Sequence, residues 1–188
     1  VTKVLDGDAE PPHPRYRKDI DVFAKEWLLL RNRPQKMALA RALSALALDP
    51  DQASRWWDAG KRAKTTGTHI DDEDLIANPY LLSEHDKGTS AASPISFATV
   101  DRAVIGDGTR TGATVSVADP RRLRAAIVAV LRNAEDNGDT LLAVEDIRAE
   151  AERLPVPTPV TIGPDWMSAH VDDLAGLVNV HEADGWAQ

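Results

Sequence analysis

Few stretches of the chain hold residues with the type and spacing for chemistry. The run His69-Ile70-Asp71-Asp72-Glu73-Asp74 gathers one imidazole and four carboxylates, which are suitable donors for a divalent metal. The same four acids would also match the positive end of a helix dipole, and a helix start is the favoured reading. Lys64-Thr65 could close a phosphate-binding loop, whose backbone N–H groups need two flanking glycines. The positions where those glycines belong are Asp58 and Ala63, so the motif fails. Gly106 to Gly112 reads GDGTRTG. It lacks the G-x-G-x-x-G spacing and is expected to be a loop. His170 and His181 fall on different predicted elements, and no Ser/His/Asp arrangement stands out. With no catalytic constellation, an independent enzyme is not what these residues point to. Trp56-Trp57 could stack on bases, although core and rim positions fit their helical spacing better.

Composition narrows the classes further. The chain has 188 residues, no cysteine and a net charge of −8. Disulfides and thiolate metal sites are therefore excluded, which fits a reducing, cytoplasmic setting. No apolar run is long enough to span a membrane. The start, VTKVLDGD, has neither Met nor a signal-peptide core, so a piece of a longer cytoplasmic protein is expected. Charge is uneven. Residues 1–64 hold 13 Lys and Arg against 9 Asp and Glu, residues 65–188 hold 9 against 21, and none follows Arg153. Any contact with a nucleic-acid backbone therefore belongs in the first two thirds of the chain.

Periodicity predicts a mainly α fold. Residues 1–18, with Pro11, Pro12 and Pro14, read as a flexible lead-in. Ile20, Phe23, Trp27 and Leu30 recur at helical spacing. Pro34 opens a second helix with a wide apolar face, and Asp49-Pro50 opens a third through Trp56 that stops at Gly60. Lys61, Arg62 and Lys64 then fall in a loop ending at Gly67. Short helices are expected through Leu75-Ile76, through Leu81-Leu82 after Asn78-Pro79, and from Phe97 to Ile105. Asp119-Pro120 repeats the cap-plus-proline start, ahead of Leu123, Ile127, Val130 and Leu131. Further helices follow at 144–154 and 164–177. Short strands are expected at 114–117, 140–142 and 178–181. The order helix, strand, helix, helix, strand predicts a winged-helix-like α+β unit over 114–188, after a helical domain at 19–113.

Within the first domain, the helix Asn78-Pro79-Tyr80-Leu81-Leu82, a connecting turn, and Pro94-Ile95-Ser96-Phe97 ahead of Thr99, Asp101 and Arg102 form an ordered pattern. This resembles the helix-hairpin-helix region of RecD-like DNA helicases, the exodeoxyribonuclease V alpha-subunit-like family. There an Asn-Pro-Tyr helix leads to an Ile-Gly-Phe hairpin. Ser96 stands here where the family carries glycine. The resemblance continues through 121–147, where Asn137, Gly138, Thr140, Leu141 and Leu142 match, and is firmest over 71–154. It implies an accessory region upstream of the ATPase motor, which holds the ATP and Mg, so this stretch has no cofactor of its own.

The resemblance also implies sequence-independent contact with the DNA backbone, from amides held outward at a turn. Ile95 and Phe97 would anchor that turn and Ser96 would be its tip. Ser96, Phe97, Thr99 and Arg102 are the expected DNA-facing residues, with Lys61, Arg62 and Lys64 and the helix start at Arg121, Arg122 and Arg124 reaching the same backbone. The expected partners are single-stranded or forked DNA, held weakly, and the motor domains of the same chain, in a replication or DNA-repair setting. The alternative is a protein-docking domain that packs on the motor or a partner subunit without touching DNA. The acidic last third favours that alternative, because its helix at 164–177 carries Asp165, Asp172 and Asp173 and no cation.

Overall fold

The computed structural model describes residues 2–90, 92–106 and 115–180. A helical turn α1 (Thr2–Leu5) and a 3-10 turn (Pro14–Tyr16) precede α2 (Arg17–Arg31), α3 (Pro34–Ala45), α4 (Pro50–Trp57) and α5 (Ala59–Thr66). Then come α6 (Asp72–Ala77), α7 (Leu81–His85), α8 (Phe97–Gly106), α9 (Pro120–Asp136), α10 (Val144–Glu152), α11 (Trp166–Ala169) and α12 (Val171–Leu174).

Local chemistry sets most of these boundaries. Asp49 and Gln52 exchange bonds in a capping box at the head of α4: the Gln52 N–H donates to Asp49 Oδ1 at 2.7 Å and the Asp49 N–H to Gln52 Oε1 at 3.0 Å. Pro50 occupies the first helical position, where its missing N–H costs nothing. Asp119-Pro120 repeats the device at α9, with the Arg121 N–H on Asp119 Oδ1 at 2.9 Å. At α6, the expected helix start is present: the Asp71 N–H donates to Asp74 Oδ2 at 2.9 Å.

Leu39, Trp56, Tyr80, Val100, Ala126 and Ile127 lie at 0% exposure in a core cluster that runs from Leu39 to Leu174. It crosses the boundary expected at 113/114. The long helix α9 packs on α7, α8 and α10 and buries Leu123, Ala126, Ile127 and Val130 along one side. The segment after α10 is extended and sends Val160 (0% exposed) and Ile162 (1%) into the same core. Each such aliphatic side chain removed from water contributes about 1.5–3 kcal/mol.

Two expectations are corrected by this arrangement. No strand is present among the described residues: Val115 to Val117, Thr140 to Leu142 and Val178 to Val180 are irregular. The winged-helix-like α+β unit therefore gives way to helices, because these short stretches find no partner strand to take up their backbone groups. Thr114, His181 and residues 107–112 of the glycine-rich loop lie outside the described residues. Second, Lys61 to Lys64 are helical. Asp58 caps α5 through the Lys61 N–H at 2.8 Å, and the chain turns left-handed only at Gly67 (φ 71°). In the lead-in, Asp6 accepts from Trp27 Nε1 and from Arg31, both at 2.9 Å.

Candidate nucleic-acid interface

The corner between α7 and α8 begins with a buried carboxylate. Asp86 is 1% exposed. Its Oδ1 accepts from the Gly88 N–H at 3.1 Å and its Oδ2 from the Ile95 N–H at 2.8 Å. Arg55 of α4 clamps both oxygens, Nε to Oδ1 at 3.0 Å and Nη2 to Oδ2 at 2.6 Å. Its Nη2 also reaches the Ser93 carbonyl at 2.9 Å. Gly88 has φ 69°, and a Cβ there would come within 2.8 Å of Pro94 Cδ. Glycine is thus required at the closest approach of the loop to itself. One side chain, Asp86, fastens both ends of the connection and ties it to α4.

The connection delivers Ile95 (2% exposed) and Phe97 (4%) to the core, where Phe97 stacks on Tyr80 with ring centroids 5.8 Å apart. Ser96 between them is exposed. Its hydroxyl oxygen accepts from the Thr99 N–H at 3.2 Å and shares a 2.9 Å bond with the Thr99 hydroxyl. Ser96 therefore caps α8. No described non-glycine residue has a positive φ, so the corner does not need the left-handed backbone that favours glycine. The Ile95 amide is spent on Asp86 and the Thr99 amide on Ser96. Those of Phe97 and Ala98, in the first turn of α8, have no acceptor among the described residues.

Behind the corner lies a second buried carboxylate, Asp101, at 0% exposure. Arg122 of α9 binds it with Nε at 2.7 Å and Nη2 at 3.0 Å, and the Tyr80 hydroxyl donates to it at 2.8 Å. Arg122 also donates to the carbonyls of Val117 at 2.9 Å, Thr158 at 2.6 Å and Pro159 at 3.4 Å. Burial opposes the Arg122 charge, but its bonds to and attraction by Asp101 outweigh that and hold the guanidinium above its ordinary value. Burial, and then the Asp101 carboxylate, push the Tyr80 phenol far up, so it stays a donor.

Glu84 is the third buried carboxylate, 1% exposed. Arg124 grips it at 2.9 and 2.7 Å, and Arg132 donates to the carbonyls of Ser83 and Glu84. Burial pushes the Glu84 carboxyl up, against the pull of Arg124. The acids Glu84 and Asp86 of the connecting region are thus neutralised inside the protein, and Lys87 is the exposed charge beside them.

The residues expected to face DNA divide accordingly. Ser96, Lys61, Lys64 and Arg102 are exposed, and Thr99 is half-buried. Lys61 Nζ rests on Ser54 Oγ at 2.9 Å, and Arg102 reaches the Pro155 carbonyl at 3.3 Å. Phe97 is an anchor in the core. Arg62 is 1% exposed and bonded to Asp72 at 2.6 Å, so it is structural. Arg122 is structural for the reasons above, and Arg124 is committed to Glu84. Arg121 is held by Asp119, Nε to Oδ1 at 2.9 Å and Nη2 to Oδ2 at 2.7 Å.

Sequence reading missed Arg55, Asp86, Asp101 and Tyr80 as the frame of the corner. A signal existed for Arg122: it precedes Ala126 and Val130 at four-residue steps, on the face that the apolar residues mark as inward. Among the described residues no cluster of His, Asp or Glu is placed to hold a metal, and no helix is long and apolar enough to cross a membrane. No protein-family model, curated protein or solved structure matches the chain.

Proposed function

We propose that the chain is an accessory domain of a RecD-like ATP-dependent DNA helicase, and that it meets the phosphate backbone of single-stranded or forked DNA at the Ser96 corner. One observation carries the reading: an exposed Ser96 sits between two buried anchors, where one short helix passes into the next. The amides of Phe97 and Ala98 lie at the positive end of α8, which suits a phosphate oxygen. Contacts of this kind position a strand without reading its sequence. Lys61 and Lys64 on α5 and Arg102 on α8 supply exposed cations. So few contacts give weak binding, with Kd on the order of 10⁻⁴ to 10⁻⁶ M at physiological salt. Nucleotide chemistry belongs to the motor of the parent protein in this reading.

A second reading, docking on the motor or a partner subunit without DNA, is favoured by a different observation. Of the arginines of α9, Arg122, Arg124 and Arg121 are paired with Asp101, Glu84 and Asp119 and Arg132 with the carbonyls of Ser83 and Glu84, so they offer no broad basic face. Anisotropy of labelled forked DNA, titrated with the chain from low to physiological salt, separates the two. DNA engagement requires binding that falls with salt, weakens in Lys61→Glu/Lys64→Glu and weakens again in Ser96→Asp. Absence of binding at the lowest salt leaves the docking reading.

A further inference from the structure

The helix α2 is fifteen residues long and buries none of them. Val22 (65% exposed), Phe23 (59%), Leu28 (52%) and Leu29 (65%) stand in solvent. Of these, Phe23 lines an apolar groove, while Val22, Leu28 and Leu29 are not among its lining residues; an apolar groove left open in this way marks an interaction site. The sequence of α2 is more specific than a greasy patch. Tyr16, Ile20, Phe23, Trp27 and Leu30 follow steps of four, three, four and three, the spacing of a coiled-coil seam. This seam forms the floor of an open groove of about 600 Å³, flanked by Leu5 of α1 and by Trp57 at the end of α4.

The charges beside the seam say what fits it. One flank carries Arg17 and Arg31, already neutralised by Glu10 and Asp6 at 2.8 and 2.9 Å. The other flank carries Asp19 and Glu26, two turns apart on the rim of the groove. Neither has a cationic partner among the described residues. The groove therefore presents an apolar floor with an unanswered negative edge. A second copy of α2 laid antiparallel would set the same two carboxylates against themselves. Laid parallel, it would offer Arg31, which Asp6 already holds.

We propose that this groove receives an amphipathic helix from a partner protein segment, with an apolar seam flanked by Lys or Arg facing Asp19 and Glu26. The binding mode is helix-in-groove: apolar anchors provide affinity, and the rim charges provide orientation and choice of partner. It does not depend on the DNA contact at Ser96.

The test uses the full chain and a fluorescein-labelled peptide that repeats Leu-Lys-Lys-Leu-Leu-Lys-Leu, beside a twin with Glu in place of Lys. The cationic peptide is expected to bind, and its twin to bind at least about tenfold more weakly. Reversing two rim charges in Asp19→Lys/Glu26→Lys should weaken the cationic peptide about tenfold, as two exposed ion pairs become repulsions. Asp172→Lys/Asp173→Lys makes the same change of net charge on α12 and should leave its affinity unchanged. Phe23→Glu, at an exposed position that the fold does not need, should abolish binding. Lack of binding, equal binding of both peptides, or equal losses in the two charge-reversal variants would overturn the proposal. A chain that sediments as a dimer, and that Phe23→Glu turns into a monomer, would give the groove to a second copy and also overturn it.

Discussion

Replacing Arg122 by Met gives the sharpest test of the frame behind the corner. The side chain keeps most of its length and loses all its donors. Asp101, at 0% exposure, would retain only the Tyr80 hydroxyl at 2.8 Å, and three carbonyls would lose their partner. A buried charge stripped of its partner costs about 3–5 kcal/mol. The assay is urea unfolding followed by helical circular dichroism. With a slope of roughly 2 kcal/mol per molar urea, the midpoint should fall by about 2 M. Asp101→Asn/Arg122→Met removes both charges, keeps an acceptor for Tyr80, and should recover about half of the loss. Tyr80→Phe, expected to cost about 1–2 kcal/mol, covers the case in which Arg122→Met lacks a folded baseline. A loss below about 1 kcal/mol at pH 7 would refute the reasoning.

Other perturbations separate the remaining groups. Arg62→Met should cost at least about 2 kcal/mol less than Arg122→Met by the same unfolding assay, because Arg62 Nε and Nη1 are buried without acceptors and Asp72 keeps Lys36 at 2.8 Å. Ser96→Ala should lose about 1 kcal/mol through the α8 cap, measured by thermal unfolding, while Ser96→Asp should retain the cap yet weaken DNA binding. Burial, then the charges of Arg124, Arg132 and Lys87, hold the His85 imidazole below its ordinary value. The unfolded chain therefore takes up that proton first, and the stability present above about pH 6.5 is lost as pH falls through the folded value. His85→Gln should flatten the decline between pH 7 and 5 in urea titrations.

Helices announced by a capping acid and proline were legible, as at Asp49-Pro50 and Asp119-Pro120, because that signal is local and complete within four residues. So was the alternation of buried Ile95, exposed Ser96 and buried Phe97. What escaped the sequence depends on partners distant in the chain. Arg122 looks like any cation until Asp101 and Tyr80 are brought beside it. Asp86 looks like loop polarity until Arg55, thirty-one residues earlier, closes on it. Gly60 read as a stop, yet a glycine in the first turn of α5 is tolerated once Asp58 supplies the cap. The short strands expected at 114–117, 140–142 and 178–181 carried only a local extended signal, and among the described residues that preference yields to packing when no neighbouring strand is available.

Asp86 also has a mechanical consequence. Held by two backbone amides and by Nε and Nη2 of Arg55, it turns the span from α7 to α8 into a strut instead of a flap. A load applied at Ser96 passes through Ser93 and Asp86 to Arg55, and so into the shaft of α4, before any helix can pivot. A projection braced in this way transmits force, where a loosely tethered loop would only yield.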